Sequence, residues 1–152
     1  IEHGKKLKQL GVSCIELRKA EDLNHHGTLF AARATAWLVE AGFATAACEH
    51  GNPDEIVMRG LENMSFHKPV AKGTVVRYEG LVVYAGSTSL MVCVRAYDAI
   101  SNQMAIEGFI TFVTIDEQTT SKKPHQVRLD ETKDEAELQL RSRASSLVER
   151  RK

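Results

Sequence analysis

Several things are scarce in this chain. Among 152 residues there are three cysteines, Cys14, Cys48 and Cys93, widely spaced and odd in number. They lack the close Cys or His spacing that holds zinc and do not form an even set for pairing, so they read as reduced thiols rather than a disulfide framework or a metal clamp. Net charge is absent, because 20 lysines and arginines balance 20 aspartates and glutamates. Such a surface sets up no overall field to recruit nucleic acid or an anionic membrane, and any anionic ligand must be met locally. No basic stretch followed by an apolar core stands at the start, and the longest apolar run is alanine-rich and broken by Arg33 and Glu40. Neither a secretory leader nor a membrane span is expected, and the chain reads as a soluble cytoplasmic protein. No internal repeat or low-complexity tract is evident.

The length suits one compact domain with a single core. Val12 to Arg18 alternates loosely and predicts a first strand. Thr28 can cap a helix, with Gly27 giving the chain room to turn. The helix is expected to run from there through Cys48 and to stop at Gly51-Asn52-Pro53, where glycine, asparagine and proline combine to break it. Its residues are apolar on nearly every face, the pattern of a helix surrounded by protein. Beyond it, β-branched alternation predicts strands near Ile56–Phe66, Thr74–Tyr84, Ser89–Ala99 and Met104–Ile115, read as a four-stranded meander. The breaks are at Pro69 to Gly73, Gly86-Ser87 and Ser101-Asn102. From Asp130 a narrow amphipathic helix is expected, with Leu140, Ala144, Leu147 and Val148 on one stripe. Its arginines Arg141, Arg143, Arg150 and Arg151 read as a solvated face. A sheet with one helix to cover it has a second face in need of cover, and dimerisation is the expected supply.

One residue in the central helix is out of character. Glu40 is the lone carboxylate of the segment from Ala31 to Cys48. Burying an acid is costly unless it is paired or used, because desolvation disfavours the charged form. The alternative to a functional role is a buried acid bonded to a backbone group or an arginine.

Three blocks of residues resemble a known family. Asn24-x-x-Gly27-Thr28-Leu29-Phe30 is similar to the helix start of hotdog acyl-CoA thioesterases. Glu62 to Gly73, with Phe66, His67-Lys68 and Pro69-Val70, resembles that family's strand-and-turn signature, and Gly86-Ser87-Thr88-Ser89 its glycine and Thr/Ser-Ser hairpin. The resemblance covers Asn24 to about Asp116 in the right order and implies an α+β hotdog fold, an antiparallel β-sheet wrapped around a central α-helix. Residues 1–118 form the hotdog domain on this reading, and 119–152 a polar linker with the C-terminal helix. Two positions depart from the pattern. Ala31-Ala32 replaces the usual Gly-Gly, and Val39 stands where many members carry the catalytic acid, with Glu40 one residue later, a position at which some members carry glutamate.

The implied activity is hydrolysis of acyl-CoA to a carboxylic acid and coenzyme A, with no cofactor beyond the coenzyme A of the substrate. Thioester hydrolysis needs an attacking group and donors for the oxyanion. Amides at the helix start around Gly27, Thr28 and Phe30 supply donors without special side chains. Glu40 serves as general base or nucleophile, and Asn24 orients the attacking water. Glu40 lies a dozen residues beyond Thr28, about 18 Å along the helix, so a site using both ends must be shared by two chains. This predicts a homo-oligomer, a dimer at least, with tetramer or hexamer open.

His25 and His26 suit a general base by titration range but read as polar loop residues, His26 being the better ligand contact. Coenzyme A phosphates call for cations, and Arg59, Lys68 and the hairpin residues Gly86, Ser87, Thr88 and Ser89 are the candidates, against solvated turn residues. Phe30, Trp37, Phe43, Met64 and Met91 can line an acyl tunnel or form plain core. Two competing functions stand beside hydrolysis. A non-catalytic acyl-CoA sensor is favoured by Val39. A hotdog hydratase places an Asp and a His five apart across an Asn-Pro loop; Asp22 and His26 are four apart and the proline is missing.

Overall fold

The computed structural model describes residues 14–19, 28–68, 70 and 73–150. In chain order come β1 (Cys14–Lys19), α1 (Thr28–His50), a 3-10 turn (Pro53–Glu55), β2 (Ile56–Phe66), β3 (Val75–Ala85), β4 (Ser89–Asp98), β5 (Met104–Thr114) and α2 (Glu135–Arg150). The strands form one antiparallel sheet in the order β1-β3-β4-β5-β2. The expected four-stranded meander is therefore corrected. Only β3, β4 and β5 follow one another, while β2 pairs with the far side of β5, from Ile56 opposite Thr114 to Phe66 opposite Ile106. Alpha-helix α1 intervenes before β2 and sets that strand down at the opposite edge from β1.

Local chemistry fixes the boundaries. Gly51 takes a φ of 91°, and its amide donates to the Ala47 carbonyl at 2.7 Å, which ends α1 in the left-handed conformation glycine adopts without cost. Asn52 then caps the 3-10 turn, accepting from the Asp54 amide at 3.0 Å. At the β4–β5 hairpin the Asp98 carboxylate accepts from the amides of Ile100 and Ser101, while Asn102 takes a φ of 61°, a conformation asparagine tolerates.

Side chains alternate across the sheet. Leu90, Val92, Val94, Ala96, Ile106, Ile110 and Phe112 turn to the face that carries Ala34, Leu38, Ala41 and Ala46 of α1. Three glycines let helix and sheet close up. A Cβ on Gly42 would stand 2.7 Å from Ile110 Cδ1, and one on Gly108 would stand 2.9 Å from Leu38 Cδ2. A Cβ on Gly80 would overlap the Thr45 hydroxyl, which itself donates to the Ala41 carbonyl at 2.8 Å. Gly80→Val is expected to cost about 1–3 kcal/mol as overpacking, read as a lower midpoint in urea unfolding, with partial recovery in Gly80→Val/Thr45→Ala. An unchanged midpoint would show that helix and sheet are not in contact there.

Two expectations about cover are corrected. Within one chain α1 is not enclosed all round: Arg33, Ala36, Glu40 and Phe43 form an exposed stripe at spacings of three and four, the side turned away from the sheet. The sheet's other face is not left to a neighbour either. Leu140, Ala144 and Leu147 of α2 pack there on Val83, Met91, Cys93 and Phe109 of the same chain. This helix starts at Glu135, later than the expected Asp130, because Asp134 supplies the N-cap and accepts from the Ala136 amide at 3.1 Å.

Candidate active site

Alpha-helix α1 has a clear direction on the sheet. Ala34 accepts from the buried Tyr78 hydroxyl at 3.4 Å, and Tyr78 pairs with Ala96 near the end of β4. At the other end His50 bonds Glu55 at 2.9 Å, just before Ile56 pairs with Thr114. The helix start therefore lies at the Asp98 end of β4 and its last turn at the Ser89 end.

Backbone amides of the first helical turn begin at Thr28, and Phe30 follows in the same turn. Asn24, His26 and Gly27 lie outside the described residues. Glu40 sits mid-helix, exposed, on the open stripe rather than in the core. The expectation of a sunken acid is corrected: one residue is about 100° of helix, and Val39, half-buried and packed against the core, is the one turned inward.

The candidate phosphate contacts separate into two groups. Lys68 makes an ion pair with Asp98 at 3.6 Å, at the helix-start end. Gly86, Ser87, Thr88 and Ser89 stand nine residues away along β4, about 30 Å at 3.3 Å per residue. Arg59, exposed in a β-bulge between Met58 and Gly60, shares the hairpin's end two strands across the sheet. Lys68 and the hairpin of one chain cannot grip one nucleotide, which corrects their grouping.

The hairpin is also more committed than its sequence suggests. Ser89 and Ser87 carbonyls accept from His125, at 2.9 Å from the ring and 3.2 Å from the amide, and Thr88 accepts from the Thr114 amide at 2.9 Å. His125 belongs to a strap clamped across this end of the sheet. Lys123 makes an ion pair with Glu55 at 2.6 Å, and its carbonyl accepts from the Thr114 hydroxyl. Bonds from Lys123, then from His50, hold the Glu55 carboxyl below its ordinary range. The strap had no helical or strand period to reveal it.

A second charged cluster lies on the opposite face of the sheet, under α2. Glu107, 2% exposed, accepts from Arg95 Nε at 2.8 Å and Arg143 Nη2 at 2.6 Å. Arg143 also lies 5.0 Å over the Phe109 ring, and Arg141 donates to the Asp130 carbonyl and to Glu137. These two arginines hold the helix, so the solvated-face reading is corrected for both. A cavity of about 140 Å³ opens beside the cluster, between β3, β4 and the start of α2, lined in part by Glu79, Cys93, Arg95 and Glu137. Among the described residues, no three His, Cys, Asp or Glu side chains converge as metal ligands, and no helix is long and apolar enough to cross a membrane.

An antiparallel sheet laid around one long helix, with Glu40 on the exposed side of that helix, has the architecture of a hotdog fold. The family model described as the Thioesterase superfamily matches residues 26–105, and the chain belongs to that superfamily. It is 26% identical over 137 residues, 86% of this chain and 76% of the relative, to an uncharacterized acyl-CoA thioester hydrolase of Bacillus subtilis (strain 168). The structure is similar to an acyl-CoA hydrolase from Staphylococcus aureus solved with butyryl coenzyme A and coenzyme A, with a TM-score of 0.79 at 28% identity over 91% of this chain and 82% of that one. It also resembles a hexameric acyl-CoA thioesterase in its apo form, with a TM-score of 0.76 at 26% identity over 91% and 89% of the two chains.

Proposed function

We propose that the protein hydrolyses acyl-CoA thioesters, at sites shared between two copies of the chain. The observation that carries this reading is the placement of Glu40 on the open stripe of α1, about 18 Å from the helix start, in a chain whose relatives are named acyl-CoA hydrolases. The helix-start amides of one chain hold the thioester oxygen, and Glu40 of the other takes a proton from water as its oxygen attacks the carbonyl carbon. Collapse of the oxyanion breaks the C–S bond, and the protonated Glu40 returns the proton to the departing thiolate. Asn24 positions the water. Lys68 stands at the thioester end of α1, while Arg59 and the Gly86–Ser89 hairpin, at the far end, are reached by the same coenzyme A only from the partner.

A second copy has surface to meet. Phe43 on the stripe and Val57, Met58 and Phe66 on edge strand β2 are large apolar residues exposed in the single chain, Phe66 at 58%, and an uncovered edge strand invites pairing. The hexameric relative supports assembly beyond a dimer.

The second reading, acyl-CoA binding without turnover, is favoured by Val39. Variants of the Staphylococcus aureus relative carry alanine in place of an asparagine and an aspartate fifteen residues apart, the spacing from Asn24 to Val39 here. Release of free thiol from a panel of acyl-CoAs separates the two readings. Steady turnover supports hydrolysis, and tight binding without thiol release supports the sensor.

A further inference from the structure

The outward side of α1 carries one charge of each sign at matched spacing. Of the 23 residues of the helix, the single lysine or arginine is Arg33, and the carboxylates are Glu40 and Glu49. Arg33 and Glu40 are both exposed, with exposed Ala36 between them. Seven residues is within about 20° of two full turns, so both charges leave the helix on one side, about 10.5 Å apart. Charge decides how a second copy can lie on that stripe. A parallel copy would set Arg33 against Arg33 and Glu40 against Glu40, and like charges brought together are costly. An antiparallel copy, related by a two-fold axis near Ala36, sets Arg33 of each chain against Glu40 of the other, because a two-fold contact from one residue to a second is repeated in reverse. The small Ala36 side chain then stands at the crossing, where the residues in contact set the separation of the helices. Exposed Phe43, three residues beyond Glu40, comes beside the partner's first helical turn.

We infer that two copies pair through α1 in this antiparallel register, and that Arg33 is the positioning residue for the partner's Glu40. The catalytic half of the inference rests on the reading of Glu40 as the general base. Within one chain Glu40 lies about 18 Å from the helix start; in this register the partner's Glu40 stands level with Arg33, five residues and about 7.5 Å beyond Thr28. The register therefore brings the carboxylate of one chain toward the oxyanion amides of the other. A guanidinium donating to one carboxylate oxygen makes a short charge-assisted bond that fixes the group. The other oxygen is left to take the proton from water. Arg33 touches neither the thioester nor the water in this arrangement and acts through Glu40.

The register is tested without reference to activity. Full-length chains carrying Arg33→Cys are mixed with chains carrying Glu40→Cys, both in a Cys48→Ser background, then oxidised and digested for peptide mass spectrometry. The mixture is expected to cross-link between positions 33 and 40. Two copies of either variant alone hold their new thiols about 10.5 Å apart along the helices, too far for a disulfide. No cross-link in the mixture, or equal cross-linking by either variant alone, would overturn the register. The role of Arg33 is read from kinetics. Arg33→Gln, at an exposed position where stability changes are within about 0.5 kcal/mol, is expected to lower kcat for acyl-CoA hydrolysis at least tenfold with KM nearly unchanged, and Arg33→Lys to recover most of that loss. Wild-type kcat in Arg33→Gln would remove the positioning role, while Glu40→Gln still tests the hydrolase reading by itself. The 33–40 cross-link together with no thiol release from any acyl-CoA supports the pairing and removes the hydrolase reading.

Discussion

Glu40→Gln is expected to lower kcat/KM for acyl-CoA hydrolysis by about 10²- to 10⁴-fold, the range for loss of a positioned general base, while leaving the fold intact. The two halves of this expectation come from different observations. The size of the loss follows from the role proposed for the carboxylate, since glutamine keeps the shape and cannot take the proton from water. The intact fold follows from exposure: Glu40 lies on the outward stripe of α1, where substitutions typically change stability by no more than about 0.5 kcal/mol. A drop in kcat with unchanged thermal melting is therefore the expected signature. Full activity in the variant would remove Glu40 from the chemistry. The shared site gives a second result from the same residues. A heterodimer of one Asn24→Ala chain and one Glu40→Ala chain contains one site with both residues intact and one with neither, so it should keep about half of wild-type activity, whereas sites built within one chain would leave none.

The strands and both helices were legible because their signals are local. Period-2 alternation placed Ile56–Phe66 on the observed ends of β2 and came within one residue for the next three strands, and Gly51 marked the end of α1. The order of the strands was not legible in the same way. Nothing in the residues of β2 says that it pairs with β5 rather than β3, since both edges offer the same backbone groups; that is decided by which side of the sheet α1 leaves the chain on. The candidate site shows the same division. The physical argument applied to Glu40, that an acid amid apolar residues must be paired or used, describes Glu107 better. Glu107 interrupts the run Ala105–Phe112 and is the carboxylate that is buried. In a helix, an acid in an apolar sequence can still emerge on a face about 100° from its neighbour. In a strand covered on both faces it has nowhere to go, and its partners Arg95 and Arg143 arrive from 12 and 36 residues away, beyond what spacing reveals.

Removing that carboxylate is the second large effect. In Glu107→Ala the Arg95 and Arg143 guanidinium groups lose a common partner, and α2 loses its charged tie to the sheet. Breaking a buried pair costs about 3–5 kcal/mol; both arginines are partly in water, which places the expected loss near the lower end, about 3 kcal/mol. For a chain of this length that is roughly 6–12 °C in Tm. The pH dependence has a definite sign. Burial pushes the Glu107 carboxyl up, but bonds from Arg143 and Arg95 outweigh it and hold the group below its ordinary value of 4.5. Its stabilisation is therefore complete above pH 4.5 and is lost as pH falls through the lower folded value, so the Tm gap between wild type and variant should shrink in acid. Cys93 reports on the same tie from beneath α2. Burial, reinforced by the Glu107 charge, pushes its thiol up to about 12, and thiolate is the reactive form. With Glu107 gone and α2 loosened, alkylation of Cys93 followed by peptide mass spectrometry should accelerate at least tenfold, with exposed Cys48 as the unchanged internal standard. Were Tm and Cys93 labelling both to stay at wild-type values, the apolar contacts of Leu140, Ala144 and Leu147 alone would be holding the helix down, and the ion cluster would contribute nothing to its docking.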